Sequence, residues 1–267
     1  MDQPTITLTI GGSDSGGAAG IQADLKTWSA LGVYGTCAIT AVTAQNSVDV
    51  YSVYYLNSHL VGQQIDAVLN DYGAQGIKTG YLGRAEIVAE VANRLRKYET
   101  VPLVVDPVLV NHMGTQMFGP EVTEAYHKHL LPLATLATPN WREAALLAGL
   151  ELESTPTSEE IELLGQHLAN IRPQQWLVTG VPCGDRVIDY WYDGDDWHEL
   201  PLPWLETKHR HGSGDTLAAA ICAFLAEGLP MAEAIENAQQ YTAAALAAAS
   251  GWQLGHGHGP LAHFHNR

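Results

Sequence analysis

The sequence is poor in basic residues, and this shortage narrows the range of partners. Only 13 lysines and arginines stand against 29 aspartates and glutamates, which gives a formal net charge of −16. Such acidity argues against binding to nucleic acid or to an anionic membrane surface. It does not exclude a phosphate ligand, because backbone N–H groups and Mg²⁺ can bind phosphate locally.

Cysteine is also scarce, and long apolar runs are missing. Cys37, Cys183 and Cys222 are isolated from one another and odd in number, which indicates reduced thiols rather than a metal site or a disulfide framework. The first residues show no signal-peptide pattern, and no apolar run approaches the roughly 18 residues of a membrane span. We therefore expect a cytoplasmic protein that does not bind membranes.

Short β-rich runs alternate with helical patterns along the chain. Residues 5–10, 33–42, 76–78, 101–105, 133–137 and 176–179 are predicted strands. Residues 18–31, 61–72, 87–95, 215–227 and 231–249 are predicted helices, with another helix from Asn140 to about Leu147. This alternation predicts a single α/β domain over residues 1–267, with a mostly parallel sheet between two layers of helices.

Residues 186–202 depart from that alternation, because two β-rich runs flank Asp193-Gly194-Asp195, a hairpin signal. Four aromatic residues in this segment could cover a nucleotide base or a sheet edge, and we favour the edge. They are Tyr190, Trp191, Tyr192 and Trp197. We expect a small β-hairpin near the active site.

The predicted strands end in polar residues or glycine, although the strands themselves are apolar. These ends are residues 11–14, Gln45-Asn46, Gly80-Tyr81, Asp106, residues 140–143 and Thr179-Gly180. Ligands of parallel α/β sheets bind at the carboxyl ends of the strands. The shared placement predicts a ligand site at this edge.

The segment His211-Gly212-Ser213-Gly214-Asp215-Thr216 precedes an apolar helix rich in alanine. A glycine turn opening a helix can bind an anion through its N–H groups, so we expect Gly212, Ser213 and Gly214 to form an anion hole. Asp215 would then act as a general base on a hydroxyl that attacks the γ-phosphate of ATP. The alternative is an ordinary turn with an aspartate in the first helical turn. The segment is neither a Walker loop nor a dinucleotide fingerprint.

Several further motifs occur in order across nearly the whole chain. They are residues 11–26 (GGSDSGGAAGIQADLK), residues 30–35 (ALGVYG), residues 43–46 (TAQN), residues 105–108 (VDPV), residues 138–140 (TPN) and residues 257–261 (GHGPL). In these motifs the chain resembles the hydroxymethylpyrimidine/phosphomethylpyrimidine kinases of thiamine biosynthesis, within the ribokinase-like superfamily. The resemblance implies a ribokinase-like fold, a homodimer, and ATP and Mg²⁺ as cofactors.

The resemblance also implies a small heteroaromatic alcohol as substrate, 4-amino-5-hydroxymethyl-2-methylpyrimidine. Gln45 matches the glutamine that reads the aminopyrimidine, and an amide suits that role because it offers a donor beside an acceptor. Gly12, Asp24 and Tyr81 match positions near the same pocket, although Tyr81 stands where methionine is usual. Asp24 could instead form a local cap or pair.

On the nucleotide side, Asp106 and Glu143 match positions near Mg²⁺ and its water shell. Mg²⁺ keeps several waters, so one or two carboxylates suffice. Glu143 with Asn140 could otherwise be an ordinary capping-box pair. Thr179 and Gly180 would face the ATP phosphates together with Asn140.

The chain departs from the family pattern around the phosphate site. The usual Gly-Thr-Gly-Cys reads Gly212-Ser213-Gly214-Asp215, with the aspartate of ribokinases and many pyridoxal kinases. Where the family usually has Lys-Gly-Gly-His, the chain reads Thr179-Gly180-Val181-Pro182, so the positive phosphate contact of the lysine is lost. The usual Asn-Thr-His reads His209-Arg210-His211, and Arg210 either restores that positive charge or is an ordinary solvated residue.

The aspartate has a mechanistic consequence, since the family performs two transfers, onto a hydroxymethyl group and then onto its monophosphate. A carboxylate helps a hydroxyl acceptor but repels a phosphate acceptor. The repulsion between two unit charges roughly 4 Å apart is about 4 kcal/mol at an effective dielectric constant of about 20. We expect the first transfer to be retained and the second to be weak.

Three other interpretations stay open. A pyridoxal/pyridoxamine kinase on the same scaffold is favoured by Asp215, Thr179 and Tyr81, and a non-catalytic pyrimidine-binding protein by the lost lysine. The tail histidines could instead bind zinc or nickel, although the family pattern already accounts for residues 257–261. They are His256, His258, His263 and His265.

Overall fold

The computed structural model describes residues 3–111, 114–151, 156–173 and 175–265. The strands in these ranges are β1 (Ile6–Asp14), β2 (Tyr34–Gln45), β3 (Val50–Tyr55), β4 (Gly76–Thr79), β5 (Leu103–Val105), β6 (Leu136–Ala137), β7 (Trp176–Cys183), β8 (Arg186–Tyr192) and β9 (Trp197–Pro203). The α-helices are α1 (Gly20–Leu31), α2 (Ser58–Asp71), α3 (Ala85–Leu95), α4 (Pro120–Ala125), α5 (Trp141–Ala148), α6 (Ser158–Leu168), α7 (Ser213–Ala226) and α8 (Met231–Ala249).

All nine strands belong to one sheet with the order β3-β2-β1-β4-β5-β6-β7-β8-β9. The six strands from β2 to β7 in that order pair in parallel, and the outer strands β3, β8 and β9 pair antiparallel to their neighbours. The prediction of a mostly parallel sheet is therefore confirmed.

Helices cover both faces of the sheet, as expected for a central strand such as β4 whose four residues are all buried. Helices α2 to α6 pack over a core on one face, and α1, α7 and α8 over a core on the other. Trp28 joins α1 to α7 in the second core, where its indole N–H donates to the carbonyl oxygen of Ala219 at 2.8 Å. The alanines of α7 let that helix lie close to the sheet.

The predicted hairpin is confirmed, since β8 and β9 flank the turn at residues 193–196. These strands extend the sheet beyond β7, and Trp191, Tyr192 and Trp197 pack on the two cores. The aromatic side chains thus pack at the sheet edge, which is the interpretation we favoured.

Several elements differ from the sequence prediction, and the differences include one strand that is shorter than expected. The predicted strand at 133–137 shortens to Leu136–Ala137, because Leu131–Leu133, with its central proline, forms a 3₁₀ turn. Strand β3 was not predicted, because its residues are mostly exposed and do not alternate. Helix α6 was not predicted either, although a capping box between Thr157 and Glu160 marks its beginning.

The carboxyl ends of all six parallel strands lie at the same edge of the sheet, together with the amino terminus of α7. Among the residues that the structure describes, no helix combines the length and apolar character needed to cross a bilayer.

Candidate active site

The glycine turn before α7 has the backbone conformation that an anion site requires. Gly212 has φ of 85° and precedes the first helical residue, Ser213. A Cβ on Gly212 would collide with the carbonyl oxygen of Ala18, so only glycine fits this close approach between the turn and the segment before α1. The N–H of Ser213 donates to the carbonyl oxygen of Arg210 at 3.2 Å, so the turn itself uses one of the three expected donors.

Asp215 lies in the first turn of α7, and its carboxylate faces the carboxyl ends of the strands. Its Oδ1 accepts a hydrogen bond from Nζ of Lys78 at 2.9 Å, and the carboxylate also accepts from the N–H of Gly20. Burial acts to raise the pKa of Asp215, but the attraction and hydrogen bond of Lys78 outweigh it, so the pKa lies below its ordinary value. Asp215 is therefore held as a carboxylate.

Lys78 is the centre of a buried cluster of charges. Its side chain is completely buried, and its Nζ lies 2.9 Å from Oδ1 of Asp24, 2.9 Å from Oδ1 of Asp215 and 3.9 Å from Oδ2 of Asp106. Burial acts to lower the pKa of Lys78, but the three surrounding aspartates reverse this and raise it above its ordinary value. One ammonium group thus joins β4, α1, α7 and the end of β5.

Asp24 is paired with other side chains in this structure. Its side chain is 1% exposed, and its oxygens accept hydrogen bonds from Lys78 and from the hydroxyl of Thr9. Burial raises the pKa of Asp24 to about 6, against the lowering effect of Lys78. The pairing that we set out as the alternative for Asp24 is the arrangement observed, and a contact with substrate has no support from the geometry.

Sequence reasoning missed Lys78 altogether. It lies within a predicted strand between two buried strands, where a lysine is rarely found without a partner. That mismatch between residue type and environment is the signal that could have identified it. The partner could not be read from the sequence, since Asp24 and Asp215 are 54 and 137 residues away.

Gln45, Gly12 and Tyr81 lie on the β1–β2 side of the glycine turn. Nε2 of Gln45, at the end of β2, lies 2.8 Å from Nε2 of His211, the residue before the turn. A Cβ on Gly12 would lie 3.2 Å from the ring of Tyr81, so a larger residue would press on that ring. The hydroxyl of Tyr81 is hydrogen-bonded to that of Tyr55 in β3, a partner that the sequence did not reveal.

Asp106 and Glu143 lie on the β5–β6 side of the turn. Oδ2 of Asp106 would be 3.9 Å from a Cβ on Gly214, so Asp106 directly faces the turn. Glu143 is 4% exposed and closes the capping box of α5 with Asn140, while its other oxygen accepts from the N–H of Leu109 at 2.9 Å. The capping box that we set out as the alternative for Asn140 and Glu143 is therefore present in the structure.

The carboxylates of this group are crowded. Burial raises the pKa of Asp106 well above its ordinary value, opposed by Lys78 and reinforced by Asp215 and Glu143. Burial likewise raises the pKa of Glu143 to about 7, against backbone hydrogen bonds that lower it. These acids are hard oxygen donors with too few positive partners, which is the chemistry of a site for a hard divalent cation.

Thr179 and Gly180 lie next to Asn140 across the β6–β7 edge. The N–H of Thr179 donates to the carbonyl oxygen of Pro139 at 2.9 Å. Gly180 is exposed with φ of 76°, and its N–H donates to Asp189 at 2.8 Å. Arg210 is not brought to this group, because its guanidinium lies over the ring of Trp204 and its Nε donates to Thr207. These contacts fit the alternative in which Arg210 is an ordinary solvated residue.

The tail, as far as His265, packs against the glycine turn. The N–H of His211 donates to Gly259, and Nε2 of His263 lies 3.1 Å from the hydroxyl of Thr216. His256 and His258 are exposed, whereas His263 is buried. Within the described ranges no three histidine, cysteine or acidic side chains converge as metal ligands. The tail therefore supports the turn from outside.

Comparison with known proteins agrees with this geometry. A family model described as phosphomethylpyrimidine kinase matches residues 14–262. A hydroxymethylpyrimidine/phosphomethylpyrimidine kinase of Rhizobium meliloti is 43% identical over 265 residues, which is 97% of each chain.

Solved structures show the same fold. The pyridoxal kinase from Staphylococcus aureus in complex with AMP-PCP and pyridoxal is 32% identical with a TM-score of 0.87, covering 100% of this chain and 96% of that chain. A phosphomethylpyrimidine kinase from Clostridium difficile is 35% identical with a TM-score of 0.78, covering 90% of this chain and 98% of that chain. The ribokinase-like α/β fold is therefore confirmed.

Proposed function

The chain belongs to the phosphomethylpyrimidine kinase family, and we propose that it transfers the γ-phosphoryl group of ATP to the hydroxymethyl group of 4-amino-5-hydroxymethyl-2-methylpyrimidine, a step of thiamine biosynthesis. The curated relative carries the name of this activity at 43% identity over nearly the whole chain. The solved relative with AMP-PCP supports ATP as the phosphoryl donor.

The position of Asp215 carries the proposal. Its carboxylate lies in the first turn of α7, directly after the glycine turn, and Lys78 keeps it ionised. It would accept the proton of the hydroxymethyl group as the hydroxyl oxygen bonds to the γ-phosphorus. The bond from that phosphorus to the β–γ bridging oxygen breaks, and ADP leaves. A protein that only bound the pyrimidine would gain nothing from a carboxylate held ionised here.

The surrounding residues divide into two groups on either side of Asp215. Gln45, with Gly12 and Tyr81 as pocket wall, would hold the ring. On the other side the phosphates of ATP would be bound by the Gly212-Ser213-Gly214 turn and by Asn140, Thr179 and Gly180. N–H groups at a helix terminus stabilise the charge of a transferring phosphoryl group.

The carboxylates on the ATP side fit Mg²⁺. Asp106 faces the glycine turn, Glu143 lies behind it, and the pKa of each is raised because burial and neighbouring carboxylates disfavour their charge. We propose that these two residues hold Mg²⁺, largely through its water shell, and that Mg²⁺ when bound neutralises the charge on the phosphates. The ion would in turn restore both acids to their charged form.

The second transfer of the family, onto the monophosphate, should be weak in this protein. Asp215 is ionised, and an incoming phosphate acceptor already carries negative charge and needs no base. Lys78, the cation paired with Asp215, is fully buried and is also paired with Asp24, so it offers no charge to an acceptor phosphate.

Pyridoxal phosphorylation is the second candidate. The observation in its favour is the S. aureus pyridoxal kinase, whose structure with pyridoxal covers the whole of this chain. Pyridoxal and the pyrimidine are both flat rings with a hydroxymethyl group, so the same base and glycine turn serve either. Gln45 favours the pyrimidine, because pyridoxal has no amine beside a ring nitrogen.

The experiment is a measurement of ATP consumption with Mg²⁺ and one of three acceptors, the pyrimidine alcohol, its monophosphate or pyridoxal, beside a control without acceptor. The wild type should turn over the alcohol fastest and the monophosphate slowly. Asp215→Asn should lower kcat for the alcohol by about 10²- to 10⁴-fold, the usual contribution of a general base. Asp195→Asn makes the same chemical change in the exposed hairpin turn and should leave the rates unaltered.

Faster turnover of pyridoxal than of the alcohol would make pyridoxal phosphorylation the function. Equal rates for the alcohol and its monophosphate would refute the argument about Asp215 and the second transfer. Binding of the alcohol without consumption of ATP would identify a pyrimidine-binding protein that is not a kinase.

We also propose that the chain is a single kinase domain, that it forms a homodimer and that it works in the cytoplasm. The homodimer is supported by exposed apolar residues on the outermost strand pair, where Tyr51 and Tyr54 of β3 are 67% and 74% exposed. Light scattering after size exclusion should give twice the mass of one chain, and a monomer would refute the homodimer.

A further inference from the structure

The main chain and the side chain of Gln45 are each held by another part of the site. Its main chain is clamped by Ser15, whose hydroxyl donates to the carbonyl oxygen of Gln45 at 2.7 Å and accepts from its N–H at 2.8 Å. The far end of the side chain contacts His211, with 2.8 Å between the two Nε2 atoms. The remaining freedom of this side chain is therefore the orientation of its terminal amide.

The contact with His211 determines that orientation. An amide nitrogen can only donate, so Nε2 of His211 must accept, and the imidazole proton is on Nδ1. With one N–H given to His211, Gln45 retains its oxygen and its second N–H for a ligand. The reversed amide would accept from a protonated Nε2 through its oxygen, and it would present its acceptor and its donor to the ligand in exchanged positions.

The retained pair matches one edge of an aminopyrimidine. That edge carries an exocyclic amine, which donates, next to a ring nitrogen, which accepts. The oxygen and N–H of Gln45 are the complementary acceptor and donor. Pyridoxal has no such pair, because the ring carbon that carries its hydroxyl group is flanked by two other carbon atoms and not by the ring nitrogen.

His211 is itself placed by contacts outside the ligand pocket. Its N–H donates to the carbonyl oxygen of Gly259 at 3.2 Å, and Oδ2 of Asp14 lies 3.9 Å from its Nε2. The carboxylate of Asp14 already accepts from the N–H groups of Gly16, Ala18 and Ala19. Those bonds hold Asp14 in place, and its Oδ2 at 3.9 Å lies beyond hydrogen-bond distance of Nε2, which leaves the amide of Gln45 as the hydrogen-bonding partner of Nε2.

We propose that His211 is a positioning residue that determines substrate specificity, because it accepts one N–H of Gln45 and so orients the amide toward an aminopyrimidine edge. This inference rests on the proposed function, since Gln45 is the proposed reader of the ring. His211 would act through Gln45 and need not touch the substrate.

The test compares the pyrimidine alcohol with its analogue lacking the 4-amino group, in wild type and in His211→Leu. Leucine has about the size of histidine but no acceptor. We expect kcat/KM for the amino substrate to fall about tenfold to a hundredfold, mainly through KM, as for a buried polar group that loses its partner. The analogue should change less than about threefold, because it makes no use of the oxygen of Gln45.

Two further variants distinguish a lost orientation of the Gln45 amide from structural damage to the glycine turn. His211→Gln can again accept from Gln45 and should recover most of the loss for the amino substrate. Lys208→Ala changes an exposed residue of the same segment and should behave as wild type. Similar thermal unfolding of all variants would show that the glycine turn after His211 is intact.

Equal losses for the amino substrate and the analogue would overturn the proposal and leave His211 as a support of the glycine turn. Calorimetric binding of both compounds in the absence of ATP tests the same inference without turnover. If the wild type bound the amino compound but consumed no ATP, the proposed function would fail, while a selective loss of binding in His211→Leu would still support this inference. A wild type that bound neither compound would refute both.

Discussion

Replacing Lys78 with methionine would remove the ammonium group that lies among Asp24, Asp106 and Asp215. Methionine has a similar length and fills the space, so the change is chiefly one of charge. In the structure Lys78 makes contacts of 2.9 Å with Asp24 and with Asp215, and all of these side chains are largely buried. Removing one partner of a buried ion pair usually costs about 3–5 kcal/mol, because the other charge is left uncompensated.

Protonation limits the loss in this cluster. Burial raises the pKa of Asp24 to about 6 even with Lys78 present. One pKa unit corresponds to about 1.4 kcal/mol, so Asp24 can take up a proton at pH 7 at a cost of about that size. We therefore expect Lys78→Met to fold, with a free energy of unfolding lower by about 3–5 kcal/mol at pH 8 and by clearly less at pH 5.5.

The direction of this change in stability with pH follows from the linkage between protonation and folding. A carboxyl group whose folded pKa lies above its unfolded value stabilises the folded state at low pH, and that stability is lost as the pH rises through the folded pKa. Without Lys78 the pKa of Asp24 rises further, so the stability of the variant should fall more steeply between pH 5.5 and pH 8 than that of the wild type. Urea unfolding at both pH values measures this.

The double variant Asp24→Asn/Lys78→Met is the matched control. It removes one charge of each sign and should regain much of the stability. We expect a low kcat in both variants, because each lacks the hydrogen bond from Lys78 to Asp215. Equal stability of Lys78→Met and wild type at pH 8, or a loss that does not depend on pH, would refute the reasoning about the buried cluster.

Three further predictions concern Gly212, Glu143 and His263. Gly212→Ala should lower kcat by at least about tenfold. It should also destabilise the fold by more than the roughly 1–2 kcal/mol of left-handed backbone strain, because the new Cβ would collide with Ala18. Gly228→Ala is the control, since the new Cβ there contacts nothing and only the strain remains. Burial raises the pKa of Glu143 to about 7, so without divalent cations its ionisation should lower stability as the pH rises from about 4.5 to about 7, and the fall should be shallower in Glu143→Gln. Burial, followed by repulsion from Lys26, lowers the pKa of His263 to about 4, so the unfolded chain takes up its proton first as the pH falls. Thermal unfolding at pH 7 and pH 5 should show a loss of about 2 kcal/mol from this group, and His263→Gln should lose less; equal losses would exclude the mechanism.

Much of the fold could be predicted from the sequence, because its signals are local. Apolar runs of strand length between helical patterns predicted the parallel sheet, and polar strand ends predicted the edge at which the candidate site lies. The glycines before α7 predicted a tight turn at a helix terminus, and Gly212 has that conformation. Neighbouring residues suffice for each of these predictions, since periodicity and turn chemistry act over a few residues.

Where the sequence prediction failed, the signal was either weak or overlooked. Strand β3 is exposed and has no alternation, so its pairing with β2 comes from tertiary contacts alone. Helix α6 begins with a capping box that was present in the sequence. The family motif around Asp24 does not show the direction of its side chain, so the pairing with Lys78 came from the structure alone.

The sequence by itself determined the class of fold, the edge of the sheet at which the candidate site lies and the residue types available there. Only the tertiary structure decided which of these side chains pair. Lys78 meets Asp215 from 137 residues away, and Gln45 meets His211 from 166 residues away. The physical reason is that a buried charge or amide acquires its partner from the packing of distant segments. The ionised state of Asp215 and the orientation of Gln45 are therefore properties of the assembled fold.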